Sequence, residues 1–212
     1  MEKNIVLIGF MGSGKTSVGK KLSIDLKREF IDMDAFIEKK EGMSVNEIFE
    51  KKGEAYFRNA EKELCIRFAV PKSKIIATGG GVIKSDENVE NLKKGGVIIY
   101  LKSTPKQIAH NLRYDNTRPL LAGGNKEEKI ANLMAEREPI YNKCADITLD
   151  VSNINIEDTI EKLKNMIHSF PDYTTSLNVE SVTNALRWLY GTVECEDLPV
   201  ATEIFRSCYS EI

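Results

Sequence analysis

The sequence predicts a three-layer α/β/α protein built on a five-stranded parallel sheet, and three observations carry that expectation. Five short apolar runs alternate with segments whose apolar residues recur at helical spacing, the pattern of strand–helix–strand units. The first run passes into Gly9-Phe10-Met11-Gly12-Ser13-Gly14-Lys15-Thr16, which matches G-x-x-x-x-G-K-[ST], a pattern that needs a strand before it and a helix after it. The chain has 212 residues, 42% hydrophobic and 29% charged, which supplies one main core and excludes disordered, collagen-like and coiled-coil classes.

Asn4 to Phe10 reads as a buried strand, and Val18, Leu22 and Leu26 mark the packed face of the helix that follows Gly14. Phe30-Ile31 opens a second strand that runs through Asp32-Met33-Asp34. Ser44 and Glu47 have capping-box spacing, so a short helix is expected from Val45 to near Gly53, and Phe57, Leu64 and Phe68 trace the next helical period. Lys74 to Thr78 is the third strand, broken by Gly79-Gly80-Gly81. Ser85 caps a helix that stops at Gly95-Gly96, Val97 to Leu101 is the fourth strand, and Thr104-Pro105 starts a helix ending near Leu112. The polar, Gly/Pro-rich stretch 113–125 is expected to be a mobile lid before a helix from about Lys126. Ile147 to Val151 is the fifth strand, and Ile156, Ile160, Leu163 and Ile167 line the last helix of a domain spanning residues 1–168. Residues 169–212 read as a C-terminal helical extension, with Val182, Leu186, Leu189 and Val193 at helical spacing and a second helix after Pro199.

Thirty basic and 32 acidic residues leave a net charge of −2, so no global field draws this chain to nucleic acid or an anionic membrane; a bound anion needs a local site. Cys65, Cys144, Cys195 and Cys208 form no C-x-x-C pair, and with only His110 and His168 beside them they read as reduced thiols and not metal ligands. The apolar run Ile5–Phe10 is too short for a secretory leader and no run approaches the roughly 20 residues of a membrane span, so a cytoplasmic location is expected.

The glycines of the phosphate loop let consecutive N–H groups face phosphate oxygens, with the helix N-terminus adding partial positive charge. Lys15 can reach the β- and γ-phosphates and the Thr16 hydroxyl can ligate Mg²⁺. A dinucleotide fingerprint starting at Gly12 would need glycine at position 17, where the chain has Ser17, so the expected ligand is a nucleoside triphosphate held by Gly12, Ser13, Gly14, Lys15, Thr16 and Ser17. The third strand runs into glycines without an acid, which leaves Asp32 and Asp34 at the end of the second strand, placed by alternation on one side of it. One can hold Mg²⁺, directly or through water, while the other hydrogen-bonds an acceptor hydroxyl. Arg58 stands beside Phe57, Arg118 before Pro119 and Arg137 within Glu136-Arg137-Glu138-Pro139, where a guanidinium fork suits a carboxylate or phosphate, and Gly79, Gly80 and Gly81 permit close approach of a ligand.

The segments GFMGSGKTSVG (9–19), FIDMDAFIE (30–38), GEAYFRNAE (53–61), ATGGGV (77–82), TRPLLAG (117–123) and EREPIYNKCAD (136–146) together resemble the shikimate kinase family of P-loop folds, in order and spacing, across residues 1–168. The resemblance implies ATP- and Mg²⁺-dependent phosphorylation of the 3-hydroxyl of shikimate, the fifth step toward chorismate and the aromatic amino acids. It implies that Asp34 binds the reacting ring hydroxyls as the proposed base and that Asp32 contacts Mg²⁺ through water. It further implies that Arg58 and Arg137 grip the substrate carboxylate, that Gly79, Gly80 and Gly81 pack along the ring, and that Arg118 acts from the lid on the transferring charge. Phe49, Phe57, Pro119 and Leu120 are family-like walls of the acceptor pocket, and Glu54 and Glu61 are candidates to orient Arg58. Arg113 is the adenine-side candidate, opposite the turn at 152–155. The alternatives are another small-molecule kinase of this fold, such as gluconate kinase, or an inactive nucleotide-binding module. The expected state is a monomer, with dimerisation through residues 169–212 as the alternative.

Overall fold

β1 (Asn4–Ile8) is the middle strand of the molecule, and all five of its residues are buried. The computed structural model describes residues 2–115 and 125–170, so the expectations for Arg118, Pro119, Leu120 and most of the 113–125 lid, and for Cys195, Cys208 and residues 171–212, lie outside the described residues. Around β1 stand β2 (Phe30–Asp32), β3 (Ile75–Ala77), β4 (Gly96–Lys102) and β5 (Ile147–Asp150) in the order β2-β3-β1-β4-β5, every pairing parallel. Ile5 stands level with Ile75 on one side and Val97 on the other.

Alternation along β1 divides the core between two faces. Ile5 and Leu7 join Ile75, Val97 and Ile99 beneath α1 (Lys15–Leu26) and α8 (Ile156–His168). Val6 and Ile8 join Ile76, Ile98 and Tyr100 on the opposite face. That second face is covered by α2 (Met33–Glu41), α3 (Val45–Lys52), α4 (Glu54–Phe68), α5 (Asp86–Gly95), α6 (Pro105–Asn111) and α7 (Lys126–Cys144), all of which contribute to its apolar cluster. Coverage on both faces is why β1, β3 and β4 are continuous apolar runs, whereas β5 at the sheet edge alternates buried Ile147 and Leu149 with exposed Thr148 and Asp150.

The local signals act as their chemistry requires. Ser44 and Glu47 form both halves of the capping box, Ser85 accepts from Asn88 N at the start of α5, and Thr104 caps α6 with Pro105 behind it. A short 3₁₀ turn at Val82–Lys84 follows the glycine strap. Asn4 is fully buried and uses its whole amide: Nδ2 donates to Phe68 O and Val70 O at 3.2 Å, and Oδ1 accepts from Lys72 N and Lys74 N at 3.0 Å. The connection from α4 to β3 is thereby tied to the first strand.

One expectation needs correction. Asp32 and Asp34 do not both end the second strand: β2 stops at Asp32, and Asp34 lies in the first turn of α2. The Asp32 carboxylate accepts from Ala35 N at 3.2 Å and so caps the helix that begins one residue after the strand ends. Helical rotation, not strand alternation, sets the angle between the two side chains.

Strand order reverses at β1, with β3 on one side and β4 on the other. The crevice outside the carboxyl end of such a strand is where open α/β sheets bind ligands, and the phosphate loop leaves β1 there.

Candidate active site

The loop from Gly9 to Thr16 is shaped by glycines that side chains could not replace. Gly12 has φ +77° and Gly14 has φ +90°, and a Cβ on Gly12 would stand 2.8 Å from Leu112 Cγ. Gly14 is the N-cap of α1, so the first N–H groups of that helix open on the cleft. Lys15 is 9% exposed and donates from Nζ to Gly9 O and Phe10 O, each at 2.9 Å, so the ammonium lies across the mouth of its own loop. Ser13 Oγ is buried without a hydrogen-bond partner among the described residues. Asn111 Nδ2 donates to Gly12 O at 2.9 Å, which fastens the loop to the end of α6.

The Thr16 hydroxyl donates to Asp32 Oδ2 at 2.7 Å, while Asp32 Oδ1 caps α2. A hydroxyl and a carboxylate at one point are hard oxygen donors, and no group of three or more His, Cys, Asp or Glu side chains gathers among the described residues. That set fits Mg²⁺, which takes one or two protein oxygens and completes its shell with phosphate and water, and it does not fit a dedicated all-protein metal cage.

Each glycine of the strap after β3 meets a different functional side chain. A Cβ on Gly79 would stand 2.7 Å from both Asp34 Oδ1 and Glu61 Oε1, and one on Gly81 would stand 2.8 Å from Arg58 Nη1. Gly80 accepts from the Tyr141 hydroxyl at 2.8 Å. Arg58 is held by two carboxylates: Nη1 donates to Glu61 Oε2 at 2.5 Å, and Nε and Nη2 donate to Glu54 Oε1 at 3.1 and 2.9 Å. Its guanidinium also lies 5.8 Å from the Phe49 ring and 5.5 Å from that of Phe57. Glu54 and Glu61 thus stand where the sequence reading put them.

Burial pushes the Glu61 carboxyl up to about 7, against the opposing pull of Arg58 and with help from the Asp34 and Glu54 charges. Burial alone would lower the pKa of Arg58, but its two carboxylate partners outweigh that and raise it. Arg137, on α7, is 5% exposed, lies 5.7 Å over the Phe10 ring, and has its Nε buried without a partner among the described residues.

A cleft of about 620 Å³ brings Lys15, Thr16, Ser17, Asp32, Asp34 and Gly80 onto one surface with Arg113. Gly79, Gly81, Arg58 and Arg137 are not among its lining residues; they stand behind Asp34, Gly80 and Phe10 through the contacts just given. Arg113 donates from Nη1 to His110 O at 2.9 Å, and its guanidinium lies 4.7 Å over the Tyr114 ring. The turn at 152–155 does not line this cleft; Asn155 caps α8 there. The sequence reading missed Thr78, Gln107, His110 and Asn111, all of which line the cleft. Only the position of α6 next to the phosphate loop reveals the last three, and no motif marks them. No helix among the described residues is long and apolar enough to cross a membrane.

The family model described as "Shikimate kinase" matches residues 11–168. Shikimate kinase of Caldanaerobacter subterraneus subsp. tengcongensis is 51% identical over 161 residues, 76% of this chain and 94% of that protein. Shikimate kinase of Thermoanaerobacter pseudethanolicus is 48% identical over the same shares. Among solved structures, shikimate kinase from Acinetobacter baumannii in complex with shikimate superposes with a TM-score of 0.75 at 37% identity, covering 80% of this chain and 94% of that one. Shikimate kinase from Aquifex aeolicus gives 0.65 at 34% identity, covering 78% and 96%.

Proposed function

The chain belongs to the shikimate kinase family, and from that membership we propose that it transfers the γ-phosphoryl group of ATP to the 3-hydroxyl of shikimate, giving shikimate 3-phosphate and ADP. The hydroxyl oxygen forms the new bond to phosphorus, the bond from phosphorus to the β,γ-bridging oxygen breaks, and the hydroxyl proton is lost to Asp34 or to water.

The phosphate loop binds the β- and γ-phosphates, with Gly12, Ser13, Gly14, Lys15, Thr16 and Ser17 around them. Lys15 exchanges its bonds to Gly9 O and Phe10 O for phosphate oxygens, and the buried Ser13 hydroxyl gains a partner. Asp34 orients the ring hydroxyls from the first turn of α2, which suits a loose phosphoryl-transfer transition state that asks mainly for positioning. Thr16 and Asp32 would hold Mg²⁺, Asp32 through water; the ion, when bound, neutralises charge on the β- and γ-phosphate oxygens.

Arg58 and Arg137 bind the shikimate carboxylate, and Gly79, Gly80 and Gly81 lie along its ring. Arg113 faces the adenine. Arg118 stabilises the transferring charge, an assignment that rests on the family motif alone. Closure over ATP excludes water from the transfer. The cytoplasm, where ATP is supplied, is the compartment for this reaction.

The observation that carries the reading is the meeting of Asp34 with the phosphate loop in one cleft, against a glycine strap whose flanks touch Arg58 and Glu61. The test measures ADP release by the purified chain with Mg²⁺ and ATP, with shikimate and with gluconate as acceptor. Strong preference for shikimate is expected. Preference for gluconate, or no turnover of either, overturns the reading.

A further inference from the structure

Tyr141 shares a motif segment with Arg137 but has itself been given no part in the reaction, yet it occupies a junction. It is 1% exposed, and its ring stacks on Tyr100, itself 2% exposed, with centroids 4.9 Å apart and planes 16° from parallel. Its hydroxyl donates to Gly80 O at 2.8 Å, and Arg137 stands one helical turn upstream on the same helix, α7. The phenol proton is engaged at Gly80 O, and burial raises its pKa, so it is not a proton donor to the reaction.

What it joins matters. Arg137 is nearly buried and keeps Nε without a partner among the described residues, which points to an anion supplied from outside the protein. Gly80 sits between Gly79, which abuts Asp34, and Gly81, which abuts Arg58. The strap therefore runs from the hydroxyl-orienting carboxylate toward the carboxylate-binding arginines, and Tyr141 ties its midpoint to α7, the helix that carries Arg137 one turn away.

We infer that Tyr141 is a positioning residue that fixes the distance between the carboxylate grip at Arg137 and the hydroxyl-orienting end at Asp34, and so selects acceptors by the span from carboxylate to reacting hydroxyl. The inference rests on the assignment of this cleft to shikimate. An uncharged acceptor does not engage Arg137 as an ion pair and draws little from the tie.

The test is Tyr141→Phe, which keeps the ring and the stack and removes only the hydroxyl, assayed by initial rates with shikimate, with its carboxamide and with ATP varied in turn. The expected result is a shikimate KM raised up to about tenfold, the order of one buried hydrogen bond, with kcat within about twofold and ATP KM unchanged. The ratio of kcat/KM for shikimate over the carboxamide falls toward one. A shikimate KM equal to the parent's, an equal rise in both KM values, or an unaltered acid-to-amide ratio overturns the inference. Should that variant fail to melt cooperatively, Tyr100→Leu releases the stack without touching Gly80 or Arg137 and carries the same expectation; parental constants there overturn it equally. A parent chain that does not phosphorylate shikimate removes the functional reading, whereas an active parent with an indifferent Tyr141→Phe removes this inference alone.

Discussion

Glu61 holds Arg58 through a 2.5 Å hydrogen bond along α4, and it does so as a buried carboxylate whose second oxygen has no hydrogen-bond partner among the described residues. The pair fixes the fork of an arginine that would otherwise sample many rotamers, and it leaves negative charge in a place that resists it.

That cost is pH-dependent. The Glu61 carboxyl titrates at about 7 in the folded chain against an ordinary 4.5, so its contribution to stability is fully present below about 4.5 and is lost as pH rises through about 7. Glu61→Gln is expected to flatten the dependence of melting temperature on pH across that window and to raise the shikimate KM severalfold, because a neutral amide holds Arg58 less firmly. Melting curves between pH 4 and 8 with matched kinetics check both; an unchanged slope contradicts the assignment.

The three strap glycines should respond differently to alanine. Gly79→Ala forces a methyl to 2.7 Å from two carboxylate oxygens and is expected to lower both melting temperature and turnover. Gly80→Ala meets nothing closer than 3.5 Å within the protein and is expected to melt like the parent while losing shikimate affinity, since Gly80 lines the cleft where the added methyl narrows the ligand's bed. Calorimetric melting and shikimate titration of the two variants separate the cases.

Lys15→Ala and Asp34→Asn are each expected to cut kcat by at least about 10²-fold, the scale of losing one preorganised charged group at a transition state. Neither belongs to the apolar core, so circular dichroism should remain that of the parent. Parental activity in either would refute its role.

Asn4→Ala removes four hydrogen bonds at the start of the central strand and is expected to destabilise by at least about 2 kcal/mol, since buried amides and carbonyls are left unpaired. Gly95→Ala should be worse, because its methyl would lie 1.8 Å from Phe68 O, and backbone there cannot yield. Urea denaturation measures both; midpoints equal to the parent's would show that this junction is more plastic than its packing implies.

Much of this was legible before any coordinates. Apolar runs such as VIIYL at 97–101 and caps at Ser44, Ser85 and Thr104 mark elements by local chemistry, and local chemistry is what a sequence displays. The strand-to-helix change at Asp32 was not legible, because one carboxylate ends the strand and caps the helix without any intervening turn residue. The cleft residues of α6 were hidden for a different reason: Asn111 is 99 positions from Gly12 in the chain, and only the docking of α6 beside the loop brings it and Gln107 to the cleft. Arg58 and Arg137 could be nominated from their neighbours, but the route by which each reaches the strap, through Gly81 and through Tyr141, exists only in three dimensions.

The order β2-β3-β1 has a consequence for how such a site can change. The phosphate loop leaves β1, the glycine strap leaves β3 and Asp32 closes β2, so the proposed donor grip, acceptor bed and ion-binding carboxylate are spaced by successive interstrand steps of about 4.8 Å. The sheet is in effect a ruler, and the loops are marks upon it. New acceptor preferences can arise by rewriting a loop while the interval between the reacting groups is inherited unchanged.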